Sequence, residues 1–229
     1  MLVGIILSVF IIIFVVVSVA VSNKKTKNYE AKSFYLVYAG KYTIANQATE
    51  ACTKVSDKGG AGIIYAVGNT KFVVASVYFS QAEADKVKQQ IVSAFNQSDI
   101  LKISAPKFSK SVCNKIEQQF YCKLYYNSLY QLCKDLYSLT ISIYKGELVA
   151  NDVYKQIMKQ KQLFAEIGAE LKNNTDSISK IMQNSNLLVC EQINSFFSSA
   201  FVANNVAKHL KKLYVNTVFE FVDMCQAIK

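Results

Sequence analysis

Apolar and polar positions along this chain repeat one pattern about 38 residues apart. "FYLVYAG" from Phe34 and "FVVASVYF" from Phe72 are short apolar runs that each break at a polar turn. Small and aliphatic residues then recur three or four apart. Ala45, Ala48, Cys52 and Val55 follow the first run; Ala84, Val87, Ile91 and Ala94 follow the second. The short runs predict strands, and the wider spacing predicts helices with one buried face. The reading is a strand over Phe34–Gly40, a helix over Thr43–Lys58, strands over Ile63–Val67 and Lys71–Phe79, a helix from Ser80 to about Phe95, and a strand over Ile100–Ser104. "DKGGAG" (57–62) and "GNT" (68–70) supply the breaks, and Pro106 closes the unit. Ser80 and Glu83 have the Ser-x-x-Glu spacing of a capping box, in which each side chain serves an orphan backbone N–H.

The order βαββαβ, with a hairpin between two βα units, predicts a ferredoxin-like sheet of four antiparallel strands with two helices on one face. Beyond Pro106 the period lengthens. Val112, Ile116, Phe120 and Leu124 start one helix, Val153 to Leu171 carry a second stripe, and Val206 to Ile228 carry the last. Gly146 and "KNNT" (172–175) separate them, so three or four antiparallel helices forming a small bundle are expected.

The N-terminal pattern differs from both. Residues 2–21 carry no charge, and twenty residues of helix span roughly 30 Å, a bilayer's hydrocarbon thickness. A basic leader segment is absent before them, so an uncleaved anchor is expected rather than a signal peptide. The expected layout is a transmembrane anchor over 1–22, a linker over 23–32, a ferredoxin-like domain over 33–106 and a helical domain over 107–229. The fold class is then α+β: a transmembrane helix, a βαββαβ domain and a C-terminal helical bundle. "NKKTK" after the anchor biases the following domain towards the cytoplasm.

Net charge is +10, from 26 basic residues against 16 acidic, and every basic residue is lysine. Without arginine there is no planar fork for bidentate recognition of phosphate or carboxylate. The lysines are spread evenly over the chain, which describes a solvated surface better than a nucleic-acid footprint. Phe72, the aromatic candidate on the third strand, falls on the inward side by alternation with Val74, so no nucleic-acid partner is expected.

Catalytic chemistry is sparse. The single histidine, His209, lies beside lysines in "AKHLKK" and reads as a surface residue whose pKa tends downward. Six cysteines, at 52, 113, 122, 133, 190 and 225, form no C-x-x-C pair. Buried thiols are expected, with disulfides across the bundle as the alternative; no metal is expected. "GGAGII" precedes a strand rather than a helix and so forms no phosphate cradle. No enzymatic activity and no cofactor are expected.

The repeated phrase resembles the SPOR domain, the sporulation-related repeat of bacterial division and sporulation proteins. "LVYAGKY", "FVVASVYFSQAEA", Gly40 and Tyr42 carry the resemblance, which covers about residues 33–105. It implies an envelope protein that binds peptidoglycan glycan strands, with Tyr38, Lys41, Tyr42 and Val73 at the contact. Tyr38 stands where the family has Gln, Val73 where it has Arg and Val77 where it has the second Gly. The family's ligand lies outside the membrane, so the resemblance favours an extracytoplasmic domain against the lysine bias. The rival reading is a membrane-tethered protein scaffold.

Strand alternation adds one expectation. If Val37, Val74 and Ser76 face the domain's own helices, then Leu36, Tyr38, Val73, Ala75 and Val77 face the other way. That second face is nearly all apolar, and the helical part is expected to cover it.

Overall fold

The computed structural model describes residues 28–109, 116–203 and 205–228. Its βαββαβ unit runs β2 (Lys32–Tyr42), α1 (Ala45–Asp57), β3 (Ile63–Val67), β4 (Thr70–Tyr78), α2 (Gln81–Ile91) and β5 (Asp99–Ala105). The sheet order is β3-β4-β2-β5 with every pair antiparallel, as the repeated phrase predicts. A two-stranded ribbon, β1 (Asn28–Tyr29) with β6 (Phe108–Ser109), joins the ends of the unit. It falls in the stretch read as linker and in the segment after Pro106.

Four long helices follow: α3 (Ile116–Tyr144), α4 (Ala150–Leu171), α5 (Ser177–Ala203) and α6 (Val206–Ile228). Six helices therefore stand among the described residues. α5 is the one the apolar stripes did not mark out. Asp176 starts it, accepting the amide N–H of Ile178 at 3.1 Å and that of Ser179 at 2.9 Å. Asn205 starts α6 in the same way, accepting the Lys208 N–H at 3.2 Å.

The expected fold class needs one correction. No helix among the described residues is long and apolar enough to cross a membrane. The anchor expected over 2–21 lies outside the described residues. The α+β class and the antiparallel four-stranded sheet stand.

Two local features show why these residues fold here. Gly62 has φ +59°, and a Cβ there would run into the Cys52 carbonyl. The glycine-rich break thus lets the chain turn back closely over the end of α1 into β3. Ser80 caps α2, its Oγ accepting the Glu83 N–H at 3.3 Å. The box is only half of the expected one. Glu83 takes the Ser80 hydroxyl at 2.7 Å and the Tyr137 hydroxyl of α3 at 2.8 Å. Its carboxylate thereby joins the cap to the bundle. Ser80→Ala is expected to cost ~1 kcal/mol. Combined with Glu83→Ala it is less than additive in denaturant melts, because both changes strip the same helix end. Full additivity would show that the two side chains act independently.

The sheet has a core on each side. Ala39, Ala48, Val55, Val73 and Ala75 form the smaller one, beneath α1. The larger one runs from Phe34, Leu36, Val74 and Val77 into the bundle without a break. Phe34 meets Phe221 of α6 with ring centroids 6.0 Å apart, and Tyr65 of β3 meets Phe219 at 4.6 Å. Tyr214 donates to the Val77 carbonyl at 3.2 Å and Tyr126 to the Glu30 carbonyl at 2.9 Å. The helices thus cover the sheet's second face, and the Tyr214 hydroxyl serves a carbonyl that the cover removes from water.

The residues on that face differ from the alternation expected. Leu36 and Val77 lie there, but Val74 joins them, while Val73 and Ala75 point to α1. Two register shifts explain the exchange. Val37 pairs with Ser76 and Tyr38 with Val74, leaving Ala75 as an extra residue in β4; Gly40 pairs with Val73, leaving Ala39 extra in β2. Each inserted residue moves the following side chains to the opposite face.

Candidate functional site

Three of the four residues implied by the resemblance sit along the end of β2. Tyr38 is 8 % exposed, and its ring packs edge-on against Phe72 at 5.0 Å. Burial pushes its phenol pKa up, Asp99 adds to the rise and Lys88 opposes it. A ring so covered offers no open face for stacking on a sugar. Lys41 is exposed, and Tyr42 is half-buried against the smaller core. The Tyr42 ring lies over Gly40, where a Cβ would come within 2.7 Å of the hydroxyl. Gly40 is therefore the residue that admits the ring, a packing reason for the Gly-x-Tyr phrase. Val73 pairs with Gly40 across the ladder but is fully buried in the α1 core. The structure brings Lys41 and Tyr42 together at the surface and leaves Tyr38 and Val73 inside.

The sheet's second face is held under the bundle by polar contacts as well as by its core. Lys211 of α6 donates to the Gly59 carbonyl at 2.7 Å and lies over the Tyr144 ring at 4.2 Å. Tyr144 shares the same carbonyl at 3.2 Å. Burial lowers the Lys211 pKa to about 8, although the carbonyl and the ring both favour its charged form. Lys208 reaches Asp57 at 3.4 Å. The loop after α1 is thus tied to both α3 and α6.

The sheet's two edges are unlike. β5 carries exposed Asp99 and Lys102, and Asp99 is bridged to Lys88 of α2 at 2.6 Å. Charges of this kind discourage pairing with another chain. β3, "IIYAV", carries none; Ile64 is 36 % exposed and Val67 51 %. Among the described residues it pairs with β4 alone, so one side of its backbone has no ladder partner there. Sequence reading found this strand but not its position at the edge, because edge status follows from strand order alone.

A second concave feature lies between α5 and α6. A half-open cleft of about 270 Å³ has Phe196 and Leu213 as its apolar floor. Gln192, Ser195 and Ser199 line it from α5, and His209, Lys212 and Asn216 from α6. His209 is therefore a cleft residue rather than a plain surface one. Burial lowers its pKa first, with Lys212 and Lys208 adding to the effect. No Asp or Glu lines the cleft among the described residues. The α5 residues escaped sequence reading because Gln and Ser on a helix carry no spacing signal by themselves.

Among the described residues, Cys52, Cys133, Cys190 and Cys225 are free thiols. No group of three His, Cys, Asp or Glu among the described residues is placed to hold a metal ion. No protein-family model, no curated protein and no solved structure matches this chain.

Proposed function

We propose that this chain is a non-catalytic interaction protein whose SPOR-like sheet is covered by its own C-terminal helices and engages protein rather than glycan. One observation carries the reading. Phe34, Leu36, Val74 and Val77, on the sheet face opposite α1, are all fully buried in a core shared with the bundle. A glycan cannot reach that face without displacing the helices. The uncharged β3 edge is a surface open to a partner, and an extended apolar segment adding to it as a fifth strand is the mode such an edge supports.

Glycan binding is the second reading, and exposed Lys41 beside half-buried Tyr42 favours it. Co-sedimentation with peptidoglycan sacculi, amidase-treated and untreated, separates the two. The full chain is expected to show no saturable binding to either preparation. Saturable, amidase-enhanced binding that Lys41→Ala and Tyr42→Ala weaken would establish the glycan reading instead. For the protein reading, a photo-crosslinking residue at Val67 is expected to yield adducts in cells that one at Lys102 does not. Ile64→Lys should suppress them, since it places a charge on the docking edge. Equal adducts at both edges would sink the β3 assignment.

A further inference from the structure

We infer that the cleft between α5 and α6 is a binding site for a small phosphate monoester. Its lining is one of donors. Lys212 supplies an ammonium, His209 an imidazole, Ser195 and Ser199 hydroxyls, and Asn216 an amide. A tetrahedral phosphate presents three acceptor oxygens and about two negative charges, which suits one lysine surrounded by several neutral donors. A carboxylate has only two oxygens and is best held by a guanidinium fork, and this chain has no arginine.

The apolar floor under Phe196 and Leu213, each 3 % exposed, keeps the polar wall on one side and suits the carbon skeleton of such a molecule. At about 270 Å³ the cleft lies just below the usual range for drug-sized ligands, so the molecule is small.

The electrostatics agree. Lys208 and Lys212 stand on the histidine's own helix, and Asp57 of α1 takes up Lys208. Cys52 of α1 lies near Lys212, and burial keeps that thiol protonated. α5 brings no charge to the cleft. Lys212 is therefore the cation left to meet an anion. A bound phosphate would offset the lysines that hold His209 down, so occupancy and protonation of His209 favour each other.

The single histidine makes the test clean, because an imidazole-labelled full chain gives one set of ring resonances. The probes are glycerol 3-phosphate, inorganic phosphate, sulfate and glycerol at matched ionic strength. Saturable shifts with glycerol 3-phosphate are expected, with inorganic phosphate weaker and glycerol silent. The His209 titration midpoint should rise by about half a pH unit or more in saturating ligand, as a nearby anion favours the imidazolium. Lys212→Met should weaken binding about tenfold or more through loss of a charged hydrogen bond. An unchanged melting temperature in that variant confirms that the loss is local. Absence of saturable shifts, or an equal response to sulfate and glycerol 3-phosphate, overturns the proposal. So does binding that Lys212→Met leaves intact.

Discussion

Phe221→Ala is expected to lower the stability of sheet and bundle together by about 3–5 kcal/mol, the usual cost of emptying a buried phenylalanine site. Phe221 is fully buried, with Phe34 at 6.0 Å, Tyr126 at 5.2 Å and Tyr130 at 5.4 Å between ring centroids. It stands where one β2 side chain meets two from α3. Such rings do not close up over a missing neighbour without leaving their own contacts, so a cavity remains. The change is made on α6, yet its effect should be read on β2. Hydrogen exchange at the amides of Leu36 and Val37 should accelerate by about two to four orders of magnitude, in step with loss of the helical circular-dichroism signal. If the β2 amides keep their protection while the helices melt, the two parts fold separately and the continuous core has no thermodynamic meaning.

Stability should also fall steeply above about pH 9, more than for a chain whose thiols and phenols are exposed. Burial pushes the Cys225 thiol from its ordinary 9.0 up to about 12. Cys133 is raised as well, by burial first and then by Cys225. Tyr125 and Tyr214 are raised by burial above their ordinary 10.0. A group with a raised folded pKa contributes its full share of stability below the unfolded pKa. That share is lost as pH rises, because the unfolded chain then releases a proton that the folded chain retains. The window opens near 9.0 for the cysteines and near 10.0 for the tyrosines. For Cys225 alone, the interval from 9.0 to about 12 corresponds to ~4 kcal/mol. Lys211 opposes the trend. Its lowered folded pKa of about 8 makes stability rise with pH until the unfolded lysine titrates near 10.5. One lysine is outweighed by two thiols and several phenols. Urea midpoints measured from pH 7.5 to 11 under reducing conditions check the sum. Cys225→Ala should lower the starting stability but flatten the slope between pH 9 and 11. An identical slope in wild type and variant would remove Cys225 from the account.

The two predictions depend on different levels of information. The periodic stripe from Val206 through Phe221 and Met224 to Ile228 was legible, since 3.6-residue spacing is a property of the chain alone. So were the βαββαβ order, the Ser80 cap and the break at 57–62, because strand length, hydroxyl capping and glycine turns are local. An uncovered apolar sheet face was legible in outline, and so was its expected cover.

Which residues occupy that face was decided in three dimensions. Ala39 and Ala75 are extra residues in the β2–β4 ladder, and they exchange the sides of Val73 and Val74. No local signal marks them, because a bulge is defined by the partner strand. The same limit applies to Tyr38, whose burial against Phe72 needs both strands, and to Val73, which by pattern alone could have faced either way. The edge position of β3 follows from strand order. The cleft at His209 requires α5 and α6 to lie side by side, which places Gln192 and Ser195 opposite Lys212. Sequence by itself determined the elements and their order, since backbone hydrogen bonds and one-dimensional periodicity act over a few residues. Faces, edges and the cleft were left to the tertiary structure, because each arises between segments far apart in the chain.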